Sequence, residues 1–544
     1  LVACLQLLAL ASCGPGGASG GADAGDGGVT TPDAAGSKLC PTPTTCDDTK
    51  VRICRDGHVE EVIEECGPEL TCSLGRCASN ACADAERATG TVVGCSFYAV
   101  HLDNVDSDDP LPSSLVVTNP GQTPARATLE TRVGGRWTDF ATVTVPPMRA
   151  SRVAMPEAFV EGPGAGVQLA LRLVTDAPVT VLAVQSDDTG GKPSRGSGAT
   201  MLLPESALGR RYRAIAYPQL ATPAVLEAKG ARGGAAQLVI VGTEDRTTVT
   251  VKPSPTAMFD PGSGAPPLGP SGTFRLSLDD GDYQQIYTVH DGADLTGTEI
   301  TADKPVAVFS GNVATTYGQI GIGINSADLA HEQLLPTTAW GFSYVAAALA
   351  PRPGVCDSLY DTGVTSIWRI VADKANTTVD FSPPPGVTGP FARRVLGAGE
   401  ILRLFVPVDV SFGVRASAPI EIMQGMDCEA TLASAVPADP LVGDLWFAAL
   451  PTFDAAIAVV RKAGEPVFLD EGRVDEAEFK PAGMGFEVAE LPVADCPASQ
   501  GACAHHLAGH FGVTMRGEDV LTSWSFTVPS WRPCSEPDVT NCSM

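Results

Sequence analysis

Short apolar runs bounded by glycine, proline and polar residues recur along most of the chain. SSLVVTN (113–119), VTVLAVQ (179–185), AQLVIVG (236–242), TTVTVKP (247–253), KPVAVFSG (304–311) and EILRLFVPV (400–408) are rich in Val, Ile, Thr and Leu. Such runs fit pleated, half-buried strands, and the flanking turn residues set their ends. No long stretch keeps a 3.6-residue apolar period free of Gly or Pro, so any helices are expected to be short. From residue 96 onward the pattern predicts an all-β body.

The strand phrases also repeat. DAPVTVLAVQS around Pro178, DKPVAVFSGN around Pro305 and SAPIEIMQGM around Pro419 each place a proline directly before an alternating β run. Their spacing, roughly 115 to 130 residues, is the size of one sandwich. A second phrase, TEDRTTVTVKP at Thr243, returns as ADKANTTVDFSP at Ala372. The expected architecture is therefore a series of tandem β-sandwich-like units, packed closely enough to form one composite body.

The first residues behave differently. LVACLQLLALAS is an apolar run of about a dozen residues, long enough for a signal-peptide core and short of the roughly 20 that span a bilayer. It ends at Cys13, and Leu10, Ala11, Ser12 and Cys13 resemble the lipobox of bacterial lipoproteins. That resemblance implies cleavage before Cys13 and lipidation of its sulfur; the alternative is a plain signal peptide with an incidental cysteine. A diacylated cysteine with a further chain holds a protein on a membrane without any spanning helix. Gly14 replaces the Asp that commonly retains such lipoproteins at an inner membrane, which implies the outer membrane or cell surface. Residues 1–12 read as the signal peptide and 13–39, rich in Gly, Ala and Asp, as a flexible tether.

Composition narrows the partners. Sixty-three acidic against 36 basic residues give a formal charge of −27, which repels nucleic-acid backbones and anionic lipid surfaces. Sixteen cysteines, less Cys4 and Cys13, leave an even 14, as an oxidised exported protein requires. Cys40, Cys46, Cys54, Cys66, Cys72, Cys77, Cys82 and Cys95 crowd into residues 40–95, too short a segment for a large core of its own. Disulfides are expected to staple it, with connectivity left open. A zinc module is the alternative, although no CxxC pair occurs and His58 is the one nearby histidine. The distant cysteines fall by neighbourhood into Cys356 with Cys428, Cys496 with Cys503, and Cys534 with Cys542.

Several longer phrases then point to a family. FYAVHLDNVDSDDPLPSSLVVTNPG from Phe97, ATMLLPESALGRRYRAIAYP from Ala199, DKPVAVFSGN with DLAHEQLLPTTAWGFSYV from Asp328, and HHLAGHFGVTMRGED from His505 resemble the IgGFc-binding protein N-terminal domain family. The resemblance covers most of residues 96–528, within a β domain read as 96–532, leaving 533–544 as a tail. It implies an extracellular β-rich binding or adhesion module, and it brings no catalytic residues. Where the family carries a Gly-Asp-Pro phrase, this chain has Ala438, Asp439 and Pro440, so no position-specific ligand contact is carried over.

Candidate chemistry is sparse. HEQLL begins like a zinc-protease motif, yet the residue four after His331 is Leu335, so the second helical ligand is missing and catalysis by His331 and Glu332 is not expected. No nucleophile elbow or phosphate-binding glycine loop occurs. His505, His506 and His510 cluster, but the following FGVTMRG reads as a strand with no carboxylate ligand near in sequence, so structural histidines are the expectation. The better ion candidate is LDNVDSDDP, in which Asp103, Asp106, Asp108 and Asp109 are candidate calcium ligands; Asp187 and Asp188 form a second, weaker group. Neither has the spacing of an EF-hand. Trp340 and Trp368 are expected in cores, and Trp446 is ambiguous between a core and a sugar-stacking platform.

Taken together, these features predict an exported, lipid-anchored, disulfide-stapled, non-catalytic surface protein. It is expected to bind a protein or glycan ligand without an obligatory cofactor. One alternative is a structural envelope protein that self-associates; the other is a secreted hydrolase with an unrecognised site.

Overall fold

The computed structural model describes residues 44–529 except 48, 56–57, 69, 75, 89, 104–112, 157–167, 186–197, 220–233, 260–263, 270–271, 316–327, 350–364, 427–430, 451–453, 495, 497–501 and 519–522. The body is built almost wholly of antiparallel strands, as the apolar pattern predicts. Four long strands organise it: Leu171–Gln185, Glu299–Thr315, Phe412–Met426 and Cys503–Glu518, of 15, 17, 15 and 16 residues. Each is the spine of one unit.

Every spine changes partners part-way along. In the first unit its early residues pair with an opening strand, Gly94–Ala99, and with Ala125–Val133, while its later residues pair with Ser114–Asn119 and with Gly198–Met201. The second unit repeats the scheme with Gly209–Arg213, Thr247–Lys252, Ala236–Gly242 and Asp328–Gln333. In the third the partners are Gly341–Ala346, Thr377–Ser382, Thr365–Ala372 and Ala433–Ser434. In the fourth they are Val442–Ala449, Val467–Leu469, Asp454–Lys462 and Ser523–Val528. One bent strand thus serves both sheets of its sandwich.

The repeated proline phrase lies at the bend. Register shifts fall between Val174 and Val179, and between the pairings of Thr301 and Val306 and of Arg415 and Ile420. Pro178, Pro305 and Pro419 lie inside those shifts, where the ladder is interrupted and a residue without an N–H is tolerated. Two residues earlier, the side chains of Asp176, Asp303 and Ser417 accept hydrogen bonds from the backbone N–H groups of Arg126, Thr248 and Thr378 at 2.7, 2.8 and 2.9 Å. The opening strand clamps the bend from the other side. Tyr212 accepts from the Gly209 N–H and donates to the Val306 carbonyl, and Tyr344 does the same with Gly341 and Ile420.

The fourth spine bends without proline. Gly509 takes φ 131° there, and a Cβ on it would lie 2.6 Å from the Pro466 carbonyl oxygen. This explains why the unit escapes a search for the proline phrase.

The units touch in a closed circuit. Tyr98 and Trp137 of the first donate to Asp280 of the second at 2.8 and 2.7 Å. Asp294 of the second accepts from Arg369 and Arg403 of the third at 2.5 and 2.8 Å. Gly483 of the fourth, at φ 84°, lies against the Ser382 carbonyl of the third so closely that a Cβ would come within 1.9 Å of its oxygen. Thr180 of the first donates to the Trp446 carbonyl of the fourth at 3.0 Å. A single apolar core, with Leu182, Ile240, Val308, Met423, Ile457 and Met515 among its members, runs through all four. Trp340 and Trp368 are buried, as expected.

The cysteine-rich segment docks on this body. Cys46–Cys72, Cys66–Cys77 and Cys82–Cys95 are disulfides, so these six cysteines are oxidised pairs and not zinc ligands. The last ties a short helix, Asn80–Arg87, capped by Ser79, to the first opening strand. Arg76 pairs with Glu86 at 3.0 Å and approaches Glu205 at 3.8 Å, while Ser96 donates to Glu205. Cys496 bonds to Cys503, the pairing expected from neighbourhood. Cys13, Cys40, Cys356, Cys428, Cys534 and Cys542 lie outside the described residues.

Candidate functional site

In each unit the end of the spine is paired with the start of a neighbouring strand: Val184 with Ser114, Asn312 with Ala236, Met426 with Ser366, and Glu518 with Asp454. The inner strands, those that follow the spines, also begin there, so the described strand ends of each unit gather on this side.

Seven residues after the proline, a buried amide side chain fastens this end in two units. Gln185 donates to the Val100 carbonyl at 2.8 Å and accepts from Ser113 at 3.2 Å. Asn312 accepts from the Tyr217 N–H at 2.8 Å and donates to the Tyr217 and Gly234 carbonyls. These contacts bring the chain leaving the opening strand beside the chain leaving the spine.

The inner strands converge on a buried polar centre. A Cβ on Gly198 would lie 2.7 Å from the Leu329 carbonyl oxygen and 2.8 Å from the His331 ring, so only glycine lets the first two inner strands approach this closely. Thr200 donates to Glu332 at 2.5 Å, and its hydroxyl accepts the Gln333 N–H. Thr527 donates to the Ser434 carbonyl. Glu332 and Glu421 are both buried; burial pushes Glu332 well above the usual carboxyl range and raises Glu421 to about 8. Burial holds His331 neutral, pushing it down to about 3. His331 and Glu332 sit on consecutive strand positions, so the apparent protease motif is a structural element of this centre.

Asp103, of the acidic cluster, is buried beside Tyr283, whose phenol is raised by burial and further by Asp103; Asp106, Asp108 and Asp109 lie outside the described residues. Among the described residues no group of three or more His, Cys, Asp or Glu side chains could hold a metal ion.

The histidine cluster differs in one respect from its sequence reading, which found no carboxylate nearby. His505 bonds Asp470 and His506 bonds Asp444, each at 2.8 Å, across 35 and 62 residues of chain. Tertiary folding supplies these partners. The pairs use separate carboxylates, His510 is exposed, and Trp446 is half-buried with its ring stacked on His506 at 4.7 Å.

Residues 198–517 match the IgGFc binding protein family, from the first inner strand through the fourth spine. The chain belongs to that family. It is also 28% identical over 233 residues to the IgGFc-binding protein of Homo sapiens, a stretch covering 43% of this chain and 4% of the human protein. Among solved structures, a tetra-tandem repeat from the extending region of a large adhesion protein aligns over 81% of this chain and all of that one. At 12% identity and a TM-score of 0.09 it carries no structural argument. The chain spans only a small part of the length of the human protein it matches.

Proposed function

We propose that this chain is an extracellular protein-binding module of IgGFc-binding type, displayed from a membrane by a lipid on Cys13, with the strand-end face as its contact surface. The observation that carries the reading is the family match over 198–517, which takes in the second and third units whole and the fourth through its spine. Scaffolds that hold loops on a rigid β framework commonly bind through those loops. The absence of a spanning helix among the described residues is compatible with a lipid anchor.

Titration of the oxidised body, Cys40 to Met544, against purified immunoglobulin Fc, with and without calcium, tests the ligand. Saturable binding is expected. No binding at tens of micromolar, roughly the 6 to 7 kcal/mol level, would move the search to glycans, neighbouring cells and self-association. Cys13→Ala is expected to release the protein from membranes, scored by fractionation; continued retention would exclude acylation as the anchor.

A further inference from the structure

The polar centre lies where strands from all four units meet, and among the described residues no cation answers its two carboxyl groups. Glu332, on the second inner strand, faces Thr200 of the first unit, the Thr527 backbone of the fourth and Glu421 of the third. Glu421, on the third spine, faces the Ser434 hydroxyl, the Ile422 backbone and, at 3.5 Å, the Tyr344 hydroxyl. His331 is neutral, and the Tyr344 phenol is pushed upward by burial and by Glu421, so neither contributes positive charge. Among the described residues, Oε1 of each carboxyl is buried without a hydrogen-bond partner.

An uncharged carboxyl tolerates such a place far better than a carboxylate. Ionised, each would be a desolvated charge without a counter-ion, and the two would repel one another across the seam. We propose that Glu332 and Glu421 form a proton-held latch: the four units stay seated around the centre while the pair is uncharged, and ionisation of the pair loosens the inner strands beneath the strand-end face. The device responds to alkalinity. Because folding raises both groups above their ordinary value of 4.5, the folded state holds protons that the unfolded chain releases, and stability falls as pH rises from that value through about 8.

The test is chemical unfolding of the full, disulfide-intact chain from pH 5 to 9, paired with amide hydrogen exchange of the inner strands. The unfolding constant of the wild type is expected to rise by about tenfold per pH unit for each carboxyl that stays protonated only when folded. Glu332→Gln and Glu421→Gln, which mimic the protonated side chains, are each expected to remove one proton from that dependence. The double variant should remove both and protect the inner-strand amides at pH 8. A double variant with the wild-type pH slope would overturn the proposal. If that variant does not fold, Thr200→Val serves instead: it keeps both carboxyls and removes a hydroxyl that stabilises the charged form of Glu332, so the decline should extend to higher pH. An unchanged profile for it would overturn the latch equally.

Discussion

Tyr212 and Tyr344 each bridge a glycine N–H and the carbonyl that follows a bulge proline, so one hydroxyl serves two backbone groups. Tyr344→Phe strands both partners in a buried setting and is expected to destabilise by about 1–3 kcal/mol, read as a shifted denaturant midpoint at unchanged slope. The equivalent position of the first unit is Phe97, which lacks the hydroxyl. Asp294 is a different case, because Arg369 is fully buried against it. Removing one member of a buried ion pair costs about 3–5 kcal/mol; Asp294→Ala is expected to approach that loss in a thermal or urea melt. Arg403, partly exposed on the same carboxylate, should matter much less when replaced by alanine. The candidate aspartates and histidines were visible as residue types. Their roles depended on partners far away in sequence, as with Asp470 and His505.

Strands in this protein follow from local chemistry, but their pairing follows from where a ladder is interrupted. A β run broken by proline, with a polar residue two positions earlier, reads in sequence as one strand with a defect. In the fold it is the point at which a strand leaves one sheet for the other, since a missing N–H is least harmful where no partner awaits it. Gly509 performs the same turn in the fourth unit. Gly509→Ala is expected to destabilise by more than the roughly 1 kcal/mol of an ordinary glycine replacement, because the new Cβ meets the Pro466 carbonyl. Loss of amide protection centred on the Cys503–Glu518 strand would check it. Among the cysteines, Cys82 and Cys95 join the helix to the first opening strand. Replacing both by serine should free the cysteine-rich segment to protease before the β body unfolds.

At the scale of the molecule, four sandwiches close on themselves, and the fourth meets the first through Thr180 and Trp446. Closure changes what each unit has to bury. An open array leaves terminal faces exposed, whereas here the apolar core is continuous through every seam. Deleting the fourth unit is therefore expected to compromise the first as well as the third, seen as loss of hydrogen-exchange protection in Ser114–Asn119. An open array would confine the loss to the third unit.

The sequence alone determined the β character, the repeat, the crowded cysteines and the family resemblance, because alternation, turn residues and spacing are local properties that survive without a partner. Only the tertiary structure decided that the described residues form four units closed in a circuit, and that Glu332 and Glu421 are both buried at the polar centre. A fourth unit bent by glycine carries no proline phrase, and a carboxyl's environment is set by strands more than a hundred residues away.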